Sequence, residues 1–464
     1  MIRWRLPLAL LAAGAAGLVA LIVYNRTTKE EVDSQLWIPK PTQITPQIAR
    51  LQQYVRIDTS KNNEVDGARF LQRILARDGI SAEIIESAPG RANLYARIKG
   101  KRDGDALLLL NHIDVVPAPP AGWSHPPFAA EAQLNSIWGR GTLDMKGIAI
   151  CQLEALLDVA RSHRVPERDI VFLAVADEEH DGRLGMAWLL EHRPDVVRGV
   201  RYALNEGGVT ETLQERISYF GIETGTKMMC RLRLHAPSRE TLQRARIALE
   251  GSMTPPDPER ILPGVKEFLH EIAPIRVEQS ARLDDIDRTV AEGKFWLVGA
   301  GYRELTQNVM WVGPARREGD GFVMALNLFN LPDEIPARRI ELLQRKLAPF
   351  GVTIEVVQAN GPAPITSRRT ALWTLLSHEI RREYGSGFPI GTEILAASYN
   401  DSRFLRARGI DAYGVWPFPV DFYQTEGIHG ADDRVRADWF MRGVSLMHRV
   451  VRSYAFEPLP PRAG

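Results

Sequence analysis

The pattern of apolar and polar positions opens with an unbroken apolar run at residues 6–24 (LPLALLAAGAAGLVALIVY), behind Arg3 and Arg5. A hydrocarbon layer needs about 18–20 such residues to be crossed. The run lacks a small-x-small cleavage pattern and continues into Asn25-Arg26. We therefore expect an N-terminal transmembrane helix that anchors the protein, the alternative being a signal segment (1–25) that is removed. The arginines ahead of it favour an exported body, periplasmic or otherwise extracytoplasmic. Residues 26–44 are polar with Pro39 and Pro41, as in a linker, and a helical period starts near Thr45 and passes Tyr54.

Beyond this point helical and strand patterns alternate. The spacing predicts helices at 67–78 and 147–162, and strands at 82–86, 92–98, 106–110, 170–176 and 200–204. The runs at 106–110 and 170–176 are apolar without alternation, the mark of strands buried on both faces. An α/β fold follows, a mostly parallel sheet between helical layers. Ligands in such folds gather beyond the carboxyl ends of the strands. Here 107–110 runs into Asn111-His112-Ile113-Asp114, 170–176 into Asp177-Glu178-Glu179, and 202–204 into Asn205-Glu206. Desolvating a carboxylate costs several kcal/mol, which a shared cation offsets. The string at 138–147 (WGRGTLDMKG) puts Asp144 at a helix entry, and Glu426-Gly427-Ile428-His429-Gly430 adds a second histidine. His, Asp, Glu, Glu and His make up the donor set of a two-metal hydrolytic centre.

Composition mainly excludes alternatives. With 464 residues, 45% hydrophobic and 25% charged, the chain is an ordinary globular one and not disordered. The 58 Lys+Arg against 57 Asp+Glu leave a net charge of +1, so no overall field draws nucleic acid. Cys151 and Cys230 have no CxxC spacing, which excludes a thiolate metal site and a disulfide framework.

In this order, HIDVVP (112–117), GRGTLDMKG (139–147), ADEE (176–179) and GIHG (427–430) resemble the co-catalytic zinc metallopeptidases that include aminoacylase, carboxypeptidase G and carboxypeptidase S. The resemblance spans roughly residues 45–455. It implies two zinc ions per subunit, with cobalt or manganese as alternatives: His112, Asp144 and Glu206 on one, Asp144, Glu179 and His429 on the other. Asp114 would accept from the second imidazole nitrogen of His112, and Glu178 would be the general base. The implied activity is cleavage of an amide bond in a small peptide or N-acyl amino acid with a free carboxylate. A dipeptidase or another deacylase, and a non-catalytic exported binding protein, are the alternatives.

The same resemblance implies a catalytic domain in two halves, 45–219 and 363–456, around an α+β ferredoxin-like lid at 220–362, with a homodimer as one assembly. The lid pattern fits strands at 230–234, 322–328 and 353–357 and helices at 239–250 and 337–347, with an extra helical stretch at 255–305. Helix 371–384 re-enters the catalytic domain. Arg403, in Tyr399-Asn400-Asp401-Ser402-Arg403, and Asn308 are candidate substrate-binding residues. Two features depart from the family. Its Gly-His-Ser-Ser lid loop is replaced by Leu234-His235-Ala236-Pro237-Ser238-Arg239, leaving His235 as a possible substitute, and Asn330 stands where an arginine is usual.

Overall fold

The computed structural model describes residues 42–208, 210–213, 216–250, 261–275, 280–294, 304–395 and 399–461. The apolar run at 6–24 lies outside them, and among the described residues no helix is long and apolar enough to cross a membrane. Helix Pro46–Val55 begins the body. The Thr45 side chain accepts from the Ile48 N–H, and Pro46 pre-sets the first helical φ. Helix Glu64–Arg77 follows, then strands β1 (Ala82–Ala88), β2 (Arg91–Ile98) and β3 (Ala106–His112). A short hairpin, β4 (Glu131–Gln133) and β5 (Ser136–Trp138), precedes helix Lys146–Arg161. Next come β6 (Ile170–Val175), β7 (Val200–Asn205), β8 (Thr210–Leu213) and β9 (Arg216–Thr226). The lid contributes β10 (Met228–Ala236), β11 (Val309–Val312), β12 (Arg316–Glu318), β13 (Gly321–Asn330) and β14 (Thr353–Ala359). The returning chain adds β15 (Ile390–Leu395), β16 (Asp411–Val415), β17 (Val420–Asp421) and β18 (Arg434–Arg436).

The large sheet runs β1-β2-β6-β3-β7-β16-β9-β8-β17, with β15 paired to β9. Its centre, β6-β3-β7-β16, is parallel. The β15–β9 and β17–β8 pairs are parallel as well, while the β1–β2, β2–β6, β16–β9 and β8–β9 pairs are antiparallel, so the sheet is mixed around a parallel centre. The β1–β2 and β8–β9 connections are too short for a crossover, and only an antiparallel return fits them. All of β3 and β6 is buried, as the unbroken apolar runs predict. Alternate side chains feed two cores. Leu107, Leu109, Phe172 and Ala174 meet helices Lys146–Arg161 and Ala437–Phe456, while Leu108, Leu110, Val171 and Leu173 meet Met186, Leu189 and Leu405.

The lid sheet is ordered β11-β13-β10-β14 and antiparallel, with β12 paired beside β13. Helices Arg239–Glu250 and Pro336–Leu347 cover one face through Leu242, Leu249, Ile340 and Leu343 against Cys230, Leu232 and Leu234. This is the expected ferredoxin-like order. Period 2 turns Met229, Arg231, Arg233 and His235 to the face away from those helices. The lid proper begins at Met228, since β9 lies in the large sheet. The extra stretch is helical where described (Pro263–Ile272, Ser280–Asp284, Ile286–Ala291), but it packs on Tyr219 and Ile394 of the large sheet and not on the lid core.

Candidate metal centre

Six side chains converge at the carboxyl ends of the parallel strands. His112 ends β3, Glu206 follows β7, and Glu178 and Glu179 lie on a single 3-10 turn after β6. Asp144 comes just ahead of helix Lys146–Arg161, and His429 arrives from the loop before β18. Asp144 uses its two oxygens separately. His112 Nε2 lies 2.9 Å from Oδ1, and His429 Nε2 lies 3.1 Å from Oδ2. Glu206 Oε2 is 3.5 Å from His112 Nε2, and Glu179 Oε2 is 3.0 Å from His429 Nε2. His112, Asp144 and Glu206 thus form one three-donor group, and Asp144, Glu179 and His429 a second that shares the aspartate.

Asp433 brings these distant segments together. Its buried carboxylate accepts from the N–H of Gly141 at 2.7 Å, the N–H of Leu143 at 3.2 Å and the Thr142 hydroxyl at 2.7 Å. Arg140 donates to the carbonyls of Gly427 and Gly430, so the loop carrying Asp144 is stapled to the loop carrying His429. Gly141 has φ +84°, and a Cβ there would meet Val115 at 2.7 Å, which explains the glycine.

Asp114 differs from the expectation. His112 Nδ1 donates to its backbone carbonyl at 2.8 Å, which leaves Nε2 facing Asp144. The Asp114 carboxylate lies 3.7 Å from that nitrogen and instead accepts from the N–H groups of Glu178 (3.2 Å) and Glu179 (3.1 Å), holding the turn that carries them.

The electrostatics fit a cation-binding site. Burial, then the Asp144 charge, pushes Glu206 up to about 8, and burial, then Glu206, pushes Glu178 well above the carboxylate range. Burial would also raise Asp144, but hydrogen bonds from His112 and His429 hold it below its ordinary value. Hydrogen bonds to Asp144 and Glu179 raise His429 to about 10. Glu178 Oε1 and Glu179 Oε1 are buried without a partner. Crowded carboxylates with spare oxygens beside two imidazoles suit divalent ions that take nitrogen and oxygen donors.

The signs of these shifts give a test. From about 4.5 to about 8, folded Glu206 keeps a proton that the unfolded chain has released, and His429 does the same from about 6.5 to about 10. Stability without metal therefore falls as pH rises through these windows. The lowered Asp144 acts oppositely, but its contribution is complete above about pH 5. A metal takes only deprotonated donors, so its stabilisation grows over the same interval. Calorimetry in chelator is expected to show Tm declining from about pH 5 to about pH 9, with the increment from added zinc widening. An increment that shrinks with pH contradicts the donor set.

Above the centre a cavity of about 450 Å³ is walled by the body (Tyr399, Asn400, Trp416, Ile428) and by the lid (Met229, Arg231, Asn327, Phe329). Neither predicted substrate residue lines it. Arg403 is 1% exposed, donates to the carbonyls of Asn400 and Asp181, and lies 4.3 Å from the ring centroids of both Tyr399 and Phe404. Asn308 accepts from the Leu331 N–H at 2.7 Å inside the lid. His235 pairs with Glu355 at 2.7 Å away from this cavity, and Asn330 is buried against Cys230. The arginine that lines the cavity is Arg231. The Cys230–Leu234 alternation already put it on the uncovered face of the lid, but nothing local showed that this face meets the metal centre.

Comparison with known proteins agrees with this geometry. Peptidase family M20/M25/M40 matches residues 108–453. A probable succinyl-diaminopimelate desuccinylase of Staphylococcus aureus is 33% identical over 136 residues, 29% of this chain and 33% of that protein, so the chain matches a third of that relative's length. An M20 family metallo-carboxypeptidase of Sulfolobus solfataricus has a similar structure, with TM-score 0.65 and 17% identity over 89% of this chain and 99% of that one. A dipeptidase of Saccharomyces cerevisiae gives 0.63 and 16%, over 88% and 96%. At these identities the structures speak for the fold.

Proposed function

The chain belongs to peptidase family M20/M25/M40, and from that premise we propose that it is a di-zinc amidohydrolase acting on a small peptide or N-acyl amino acid with a free carboxylate. The observation that carries this reading is Asp144, whose two oxygens each face one histidine and one three-donor group. His112, Asp144 and Glu206 would hold one zinc, and Asp144, Glu179 and His429 the other. Bound there, two zinc ions would supply Lewis-acid polarisation of the scissile carbonyl and a water acidic enough to be deprotonated near neutral pH. Glu178, buried beside these donors with a free oxygen, takes the proton from the attacking water and passes it to the leaving nitrogen. Water and amide become a carboxylic acid and an amine.

Arg231 takes the role first given to Arg403. Its side chain is 36% exposed in the lid wall, where it meets the substrate carboxylate. The apolar run at 6–24 behind two arginines supports a membrane-anchored enzyme with its body outside the cytoplasm.

A metal assay combined with a panel of dipeptides, N-acyl amino acids and their carboxamide analogues tests the reading. Loss of a charge-assisted hydrogen bond removes about 1.5–3 kcal/mol, so Arg231→Gln is expected to raise KM for carboxylate substrates by about 10- to 100-fold more than KM for the carboxamides, whatever change in kcat the two series share. Equal KM changes on both series would remove Arg231 from carboxylate recognition. A zinc-replete wild type inert on the whole panel would overturn the hydrolase reading.

A further inference from the structure

The turn that carries Glu178 and Glu179 is fixed from two sides. On the body side, Asp114 accepts from both backbone N–H groups, and Asp177, just ahead of the turn, pairs with Arg91 at 2.6 Å. These partners belong to the large sheet and its loops. The other end is Asp181, whose N–H closes the turn on the Glu178 carbonyl at 3.2 Å. Asp181 is 1% exposed with φ +99°, a conformation that a residue with a Cβ keeps only when its surroundings hold it.

What holds its carboxylate is mostly the lid. Arg231 Nη1 from β10 lies 2.5 Å away, and an end of the Gln358 side-chain amide from β14 lies 2.7 Å away; the hydrogen-bond network assigns the nitrogen to that end, donating to Asp181, and the oxygen to the end facing Asn360. The remaining donor is the Tyr399 hydroxyl at 2.9 Å. Arg403 anchors the Asp181 carbonyl at 3.0 Å. In the same seam, Arg183 donates to the Val357 carbonyl of β14 at 2.9 Å. Lifting the lid removes Arg231 and Gln358 together. A buried carboxylate is then left with one neutral donor, which is costly enough that it swings toward water and takes its backbone along.

We propose that Asp181 is a positioning residue that couples lid docking to the catalytic turn: Glu178 and Glu179 keep their working orientation only while Arg231 and Gln358 are seated on Asp181. The significance of that orientation rests on the proposed function, but the coupling itself does not. Substrate binding that draws the lid down would thus set a base and a metal donor in one movement.

Hydrogen exchange on the full-length, zinc-supplemented protein tests the coupling without substrate. Arg231→Gln and Gln358→Ala change only the lid, 49 or more positions from the turn in sequence. Each is expected to speed amide exchange across residues 177–182 by roughly tenfold, the scale of losing one such hydrogen bond, and to leave helix Pro46–Val55 unchanged. Arg231→Lys, which keeps a cation opposite Asp181, is expected to stay near wild type. Wild-type exchange at 177–182 in both Arg231→Gln and Gln358→Ala overturns the proposal. So does equal acceleration by Arg231→Lys and Arg231→Gln, because the ion pair would then not be the link. A protein inert on every substrate would defeat the hydrolase reading and leave this exchange result standing.

Discussion

Glu178→Gln is expected to lower kcat by about 100- to 10,000-fold, the range for a positioned general base, with zinc content unchanged. The reason lies in how the turn divides its two acids. Glu179 faces His429 at 3.0 Å and belongs to a three-donor group, so its oxygen is committed. Both acids line the cavity and each has a buried oxygen without a partner, but Glu178 belongs to neither three-donor group. Burial and Glu206 raise its pKa well above the usual carboxylate value, which suits a group that must take a proton and give it up again. Glutamine keeps the shape and cannot accept the proton. The paired control is Glu179→Gln, which is expected to lose one zinc as well as activity. If Glu178→Gln loses metal and Glu179→Gln does not, the two roles are exchanged.

Asp144→Asn is expected to have the larger effect on metal. One carboxylate serves both donor groups, so replacing one oxygen with an N–H donor damages both at once. Glu206→Gln or His429→Ala touches a single group. Zinc content after dialysis is expected to fall toward zero in Asp144→Asn and only to about half in the single-group variants. Losing the electrostatic contribution of the cations, several kcal/mol at the transition state, lowers kcat/KM by about 1,000-fold or more. Retention of wild-type zinc in Asp144→Asn would mean that the aspartate does not bridge.

Three of the donors, His112, Glu179 and Glu206, stand out in the sequence because each sits where an apolar run stops abruptly, whereas Asp144 and His429 lie on glycine-flanked loops and stand out through the family resemblance. Val175 and the other residues of β6 are all buried, and Asp177-Glu178-Glu179 follow almost at once. Burial on both sheet faces leaves a pattern in the chain itself. The flanking antiparallel strands were harder to read. The β16–β9 pairing joins segments nearly two hundred residues apart, and no local spacing records its direction. The two arginines fail for a related reason. Arg403 and Arg231 look alike in composition, and only tertiary packing buries one between Tyr399 and Phe404 and leaves the other in the cavity wall. Asp114 was placed in the right neighbourhood. Its carboxylate could serve either an imidazole or two backbone N–H groups, and the geometry of the turn after β6 decided for the latter.

The most direct test of the account is anomalous diffraction at the zinc edge from crystals of the zinc-loaded protein. The account predicts two neighbouring peaks joined through Asp144, one among His112, Asp144 and Glu206 and the other among Asp144, Glu179 and His429. A single peak, or peaks away from Asp144, would contradict it.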